Sequence, residues 1–260
     1  MSTSAPASGW GRKAAELYEP SYAREYRHHD DELDRVAAYE MFCDWLRGIC
    51  RSFDAPIDVL DLGCGTGRYF CALSGVNALV GLDASAAMLE EARHPVHAER
   101  ITAASVDLVQ GDVMSHDFGG RRFDLVYAIG VLAEHTPLDE TAVANVHRWL
   151  KPGGRFAFTT VHPDSPSVPR TMARSIGRLV APLMRGDARR RLHDRLTSGG
   201  LYADEALVRR LLEPRFTIES LTRARSEAHL HGLCVARTRT PCVDSPAGAR
   251  WSLAASAFLA

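Results

Sequence analysis

A chain of 260 residues, 46% of them hydrophobic, is long enough to bury one sizeable core and to carry a small appended cap. Its formal net charge of −1 excludes a nucleic-acid binder that works through a broad basic face, because neutralising phosphates needs a surplus of Lys and Arg. The six cysteines include no C-x-x-C pair, so zinc-ribbon spacing is absent, no metal site is expected, and free reduced thiols are the plain reading.

The opening residues through Gly9 are small and polar, without the apolar segment of a signal peptide. No apolar run reaches membrane-spanning length, so a soluble, cytoplasmic protein is expected. Residues 1–12 read as a disordered tail. Residues 13–52 read as an N-terminal helical lid, with Tyr39, Phe42, Trp45, Leu46 and Ile49 at helical spacing and Tyr18, Tyr22 and Tyr26 four apart upstream. The period then changes. Ile57–Leu62 reads as a buried strand that stops at a run of glycines, and further strands are predicted at 78–82, 106–110, 123–129 and 155–161. Helices are predicted between them at 68–73, 85–93 and 138–150, with Lys151-Pro152-Gly153-Gly154 as a sharp helix-to-strand turn. A helix at 203–212 and two strands at 216–221 and 230–237 close the domain.

The alternation predicts an α/β domain over residues 53–240. Its sheet is mostly parallel, with helices on both faces, and it ends in an antiparallel pair. One segment interrupts it. Residues 163–200 are too long for a simple loop, and they carry an apolar stripe from Met172 to Met184 set among arginines, including Arg189, Arg190 and Arg191. That segment reads as an inserted, basic helical cap. It is either a lid over the site, its arginines recruiting an anionic acceptor, or a helix for a membrane surface or a second subunit. Residues 241–260 form a tail rich in Ala, Ser and Pro that is not placed.

The informative string is Val59-Leu60-Asp61-Leu62-Gly63-Cys64-Gly65-Thr66-Gly67. Glycines at alternate positions after a strand let the chain turn tightly and let a ligand touch backbone, and a helix from near Gly67 would point free N–H groups at it. That much fits any nucleotide loop. The dinucleotide fingerprint, however, needs glycine where Arg68 stands, and the phosphate loop with its Lys is absent. Asp61 beside the loop suits a cationic ligand and would repel a pyrophosphate. Asp83 ends the second strand where a carboxylate can bind ribose hydroxyls, and Asp112 follows the third where it can accept from an adenine amino group. Any one of these acids alone also reads as a helix cap or surface residue. Jointly, at one sheet edge, they point to a site.

At these residues the chain resembles the class I S-adenosylmethionine (SAM)-dependent methyltransferases, over roughly Val59 to Val161. Asp61 through Gly67 matches that family's glycine loop. Gly81-Leu82-Asp83-Ala84-Ser85, with Met88 following, resembles its ribose segment, and Gly111-Asp112-Val113 its adenine segment. The resemblance implies a seven-stranded sheet with the last strand antiparallel, and SAM as cofactor. It also implies that Asp61, Gly63, Cys64, Gly65, Gly67, Asp83, Ala84, Met88, Asp112 and Val113 form the cofactor site. Ile129 and Gly130 would border the methionine part, and Tyr18 and Tyr26 resemble N-terminal residues that close over the cofactor. Met88 reads more as core than as ligand, and Cys64 occupies a position that many residue types fill.

Methyl transfer needs an aligned acceptor and, for a phenol or acid, a base. Candidates are Glu134 and His135 after the fourth strand and His162 after the fifth. By the resemblance His135 faces the reaction centre, and it is the expected catalytic residue. Packing or capping the next helix is its plain alternative. His229 and His231 read as surface or strand residues. Absence of a Pro-Pro-aromatic motif after Ala128, and of a Pro-Cys nucleophile inside the domain, points away from DNA. A small molecule is the expected partner, methylated on O or N. Three rivals stay open: a lipid-like or tetrapyrrole acceptor at a membrane surface, a SAM-binding regulator, and a nicotinamide oxidoreductase, against which Asp61 and Arg68 argue.

Overall fold

The structure, a computed structural model, describes residues 8–33, 36–168, 201–226 and 229–239. Three N-terminal helices, α1 (Gly9–Leu17), α2 (Pro20–Asp30) and α3 (Ala37–Cys50), precede the sheet. Then come β1 (Ile57–Leu62), β2 (Val76–Asp83), α4 (Ala86–Glu91), β3 (Ser105–Gln110) and β4 (Phe123–Ala128). The domain closes with α5 (Glu140–Trp149), β5 (Leu150–Val161), α6 (Glu205–Leu212), β6 (Phe216–Arg225) and β7 (Leu230–Thr238). The seven strands lie in the order β3-β2-β1-β4-β5-β7-β6, and β7 runs antiparallel to both its neighbours while the other pairings are parallel.

Period-two alternation distributes the strand residues between two cores. Leu60, Leu62, Val126, Ala128, Phe156 and Phe158 point to the face covered by Val143, Val146 and Trp149 of α5 and by Leu207 and Leu211 of α6. Val59, Leu125, Tyr127, Ala157 and Val235 point to the opposite face, covered by Tyr39, Cys43 and Leu46 of α3. Asp61 falls on this second face, with Tyr127 as its partner across the β1–β4 pairing. Caps set the helix starts: the Asp139 and Asp204 side chains accept from the third residue of α5 and of α6 respectively.

Three expectations are corrected. The disordered tail does not extend to residue 12, because Ser8 caps α1, its hydroxyl accepting from Trp10 and Gly11 N–H at 3.2 Å. The helix expected at 68–73 is only a 3-10 turn at Phe70–Ala72. Its room is taken by β2, which begins at Val76, and by left-handed backbone at Gly67 and Gly75 on either side. The turn at 151–154 lies inside β5 as a register shift: Leu150 already pairs with Phe123, Gly153 takes φ +77°, and Lys151 Nζ bonds Asp124 at 2.7 Å and Asp58 at 3.0 Å. The cap expected at 163–200 and the tail at 241–260 lie, apart from residues 163–168, outside the described residues. Among the described residues no helix is long and apolar enough to cross a membrane.

Candidate active site

In the order β3-β2-β1-β4-β5 the chain works outward from β1 and then crosses to β4, so the loops after β1 and β4 diverge and leave a crevice at the carboxyl edge. A cavity of about 380 Å³ lies there, within the size range of small-molecule sites. Gly63 and Gly130 form its floor with φ of +66° and +72°, values that glycine adopts freely. A Cβ on Gly63 would stand 2.5 Å from a Val131 methyl, so the two loops meet only because that atom is missing.

The three strand-end acids all line this cavity. Asp83 accepts the Gly65 N–H at 2.9 Å through one oxygen and the Ser85 N–H at 2.8 Å through the other, which ties the glycine loop to the end of β2. Asp112 accepts from Met114 N at 2.9 Å and from Ser8 N at 2.6 Å. The second bond brings α1 down over the end of β3, where a Cβ on Gly11 would collide with the Asp112 carboxylate at 2.4 Å. A carboxylate offers about four lone-pair directions, so each acid keeps capacity for a ligand. Asp61 is 3% exposed and receives the Tyr127 hydroxyl at 2.6 Å on Oδ2, while Oδ1 has no partner among the described residues. Burial pushes the Asp61 carboxyl up to about 8, the Tyr127 hydrogen bond holding it down only in part. Burial also raises the Asp83 carboxyl.

Cys64, Gly65, Ala84, Met88, Val113 and Ile129 also line the cavity. Gly67 does not: its φ of +75° turns the chain, and a Cβ there would strike the Phe70 ring at 2.7 Å, so its role is to shape the loop. The loss of the helix after Gly67 also removes the helix dipole from the site. The Cys64 sulfur packs back toward β2, 2.8 Å from where a Gly81 Cβ would be. The five cysteines among the described residues are free thiols.

The N-terminal helices close the cavity from above. Tyr18 and Tyr26 line it, with Tyr22 between them. Tyr18 Oη lies 3.1 Å from His135 Nε2, and the Tyr18 carbonyl accepts from Ser85 Oγ at 2.6 Å. One residue thus joins the loop after β2 to His135. Burial raises the Tyr18 phenol, which stays protonated. His135 and Glu134 sit on the loop after β4, His135 Nε2 being 4.0 Å from the Glu134 carboxylate. His162 is neither solvated nor at the reaction centre. It is 5% exposed, its Nδ1 accepts the Asp164 N–H at 3.1 Å, and its Nε2 lies 3.5 Å from Glu205.

Sequence reading missed a buried cluster behind the glycine loop. Asp30, at the end of α2 and 1% exposed, accepts from the Thr66 hydroxyl and from Arg68 Nη2 at 2.5 Å. Arg68 lies over the Tyr26 ring, 4.3 Å from its centroid. The partners are more than 30 residues apart, so no local pattern announces them. Phe42, Tyr69, Thr159 and His231 also line the cavity without having been singled out for it.

Fold and site together define a Rossmann-like α/β domain with a ligand crevice closed by three acids, a glycine loop and an aromatic lid. Residues 59–154 match the family described as methyltransferase domain, and the fold is that of the class I SAM-dependent methyltransferases. It is similar to an uncharacterized methyltransferase of Synechocystis, 40% identical over 110 residues that cover 41% of this chain and 48% of that protein. Its fold is similar to the magnesium protoporphyrin IX methyltransferase of Synechocystis with bound S-adenosylhomocysteine (SAH), with TM-score 0.60 and 15% identity over 88% of this chain and 99% of that one. It is also similar to the 1,6-didemethyltoxoflavin-N1-methyltransferase of Burkholderia thailandensis, with TM-score 0.56 and 21% identity over 91% and 93% of the two chains. Matches to curated relatives span less than half of their length, as with the demethylmenaquinone methyltransferase of Lactiplantibacillus plantarum at 48%.

Proposed function

We propose that this chain binds SAM in the carboxyl-edge cavity and transfers its methyl group to an O or N atom of a small organic molecule. The observation that carries this reading is that Asp61, Asp83 and Asp112 share one cavity with His135 and a tyrosine lid. The fit to SAM rests on the same walls: bare glycine backbone at Gly63, Gly65 and Gly130, and a buried carboxylate at Asp61 with one oxygen uncommitted among the described residues. SAM supplies a methyl on a sulfonium, reactive toward direct displacement. Asp83 holds the ribose hydroxyls with lone pairs not used by Gly65 and Ser85. Asp61 faces the cationic end of the ligand, and Asp112 accepts from the adenine amino group. Tyr18, Tyr22 and Tyr26 exclude water, and Tyr18 holds the His135 ring at the point where β4 ends. His135 then takes a proton from the acceptor or orients it.

This reading is tested with SAM carrying a radiolabelled methyl group and a small-molecule extract. Label should move to a low-mass product, and His135→Ala should slow that transfer about tenfold or more while SAM affinity stays within a factor of two. SAM that is bound but never consumed would make the protein a sensor of the cofactor. Equal rates in the two proteins would return His135 to a packing role. The membrane-surface reading rests on the basic cap alone, which lies outside the described residues.

A further inference from the structure

Strand order divides the cavity in two. The three aspartates stand over β1, β2 and the end of β3, while the side beyond β4, β5 and β7 has Glu134 as its one acid among the described lining residues and contributes Ile129, Thr159 and His231. If the donor is held by the acids, as proposed above, the methyl acceptor must occupy the second half. β7 is antiparallel to β5, so its first residues lie at the same edge where β5 ends, and His231 is the pairing partner of Val161 there.

His231 is an unusual residue for that position. It is 6% exposed and lines the cavity, yet its Nδ1 is buried with no hydrogen-bond partner. Its Nε2 lies 3.1 Å from the hydroxyl of Ser226, which itself accepts the His229 N–H at 3.1 Å. The ring is therefore fixed in orientation from the β6–β7 side, with one nitrogen left over. Buried polar atoms are rarely left unpaired, and each such atom calls for a reason. The Phe42 and His231 rings meet edge-to-face with centroids 5.3 Å apart, and Phe42 meets Tyr69 in the same way at 6.4 Å. This aromatic lining suits an aromatic acceptor. Burial, with His229 nearby, lowers the imidazole to about 4, so it is neutral at physiological pH and offers one donor and one acceptor nitrogen.

We propose that Phe42, Tyr69 and His231 form the acceptor subsite, and that His231 Nδ1 binds a hydroxyl or N–H group of a planar aromatic acceptor. The aromatic lining suits an aromatic ring, and the single buried nitrogen selects an acceptor with a polar group on its rim. An apolar ring would leave that nitrogen unpaired, which is how sites built around one hydrogen bond reject analogues that lack it.

The test uses the SAH-loaded full chain and two probes of nearly equal shape, 2-naphthol and naphthalene, titrated in a calorimeter. The wild type should bind 2-naphthol at least tenfold more tightly than naphthalene. His231→Phe should lose that preference with SAH affinity unchanged, and the unchanged SAH affinity shows that the variant is folded. Nitrogen NMR of the wild type gives a second readout: 2-naphthol should shift the His231 Nδ1 resonance far more than Nε2. A preference that persists in His231→Phe, an unmoved Nδ1, or a wild type that binds both probes alike or neither would overturn the assignment. Failure of SAH itself to bind would instead overturn the cofactor reading on which the assignment rests.

Discussion

Replacing Asp83 by Ala is expected to weaken SAM binding by about 2 kcal/mol or more, roughly thirtyfold, because charged hydrogen bonds of about that size are lost. Two losses combine. The ribose loses its carboxylate partner, and the Gly65 N–H, held at 2.9 Å, loses the acceptor that sets the glycine loop against β2. Ser85 loses an acceptor as well, and Ser85 is the residue whose hydroxyl holds the Tyr18 carbonyl at 2.6 Å. The lid should therefore loosen together with the loop. Equilibrium dialysis with radiolabelled SAM reads the affinity. An Asp83→Ala protein that is folded and binds as the wild type does would remove Asp83 from the site.

Asp61→Asn should make the ligand-free protein more stable, and increasingly so as pH rises. Burial lifts the folded-state carboxyl from 3.8 to about 8. Between those values the unfolded chain has released a proton that the folded chain still holds, so rising pH favours unfolding. The stability tied to Asp61 is thus fully present below the unfolded value, falls through the interval and levels off above about 8. Asparagine keeps the shape and still accepts the Tyr127 hydroxyl, but it does not titrate. From about pH 5 to about pH 8.5 the variant's advantage should grow by about 4 kcal/mol. Denaturant unfolding at the two pH values measures it, and an advantage independent of pH would show that Asp61 ionises normally. The same variant should bind SAM less well, since the site loses its anionic partner for the ligand's cationic end. A gain in stability with a loss in binding is the signature of a group placed for function.

Much of this was legible because the sheet imposes a strong local pattern. Ile57–Leu62 is legible residue for residue, since Ile57, Val59, Leu60 and Leu62 fit a buried strand and Gly63 stops it. The three acids were found because each closes a strand at the same edge. Segment 68–73 failed for the opposite reason. Its apolar residues have helical spacing, but the short span to Val76 and the glycines at both ends allow only one 3-10 turn, and span length is a tertiary constraint. The Asp30–Thr66–Arg68 cluster and the placement of His231 beside Phe42 depend on where α2 and α3 dock, which no local period encodes. His162 follows β5 where that strand reaches the carboxyl edge, as site residues do, yet it turns toward Glu205 at the start of α6.

The central claim is that the acid-lined cavity is a SAM site, and direct calorimetric titration of the purified chain tests it most plainly. Three ligands suffice: SAM, SAH and reduced nicotinamide adenine dinucleotide. One-to-one binding of the first two is expected, in competition with each other, and no binding of the dinucleotide, whose pyrophosphate loop needs a glycine where Arg68 stands. Binding of the dinucleotide in competition with SAH, or no binding of SAM and SAH to the folded protein, would contradict it.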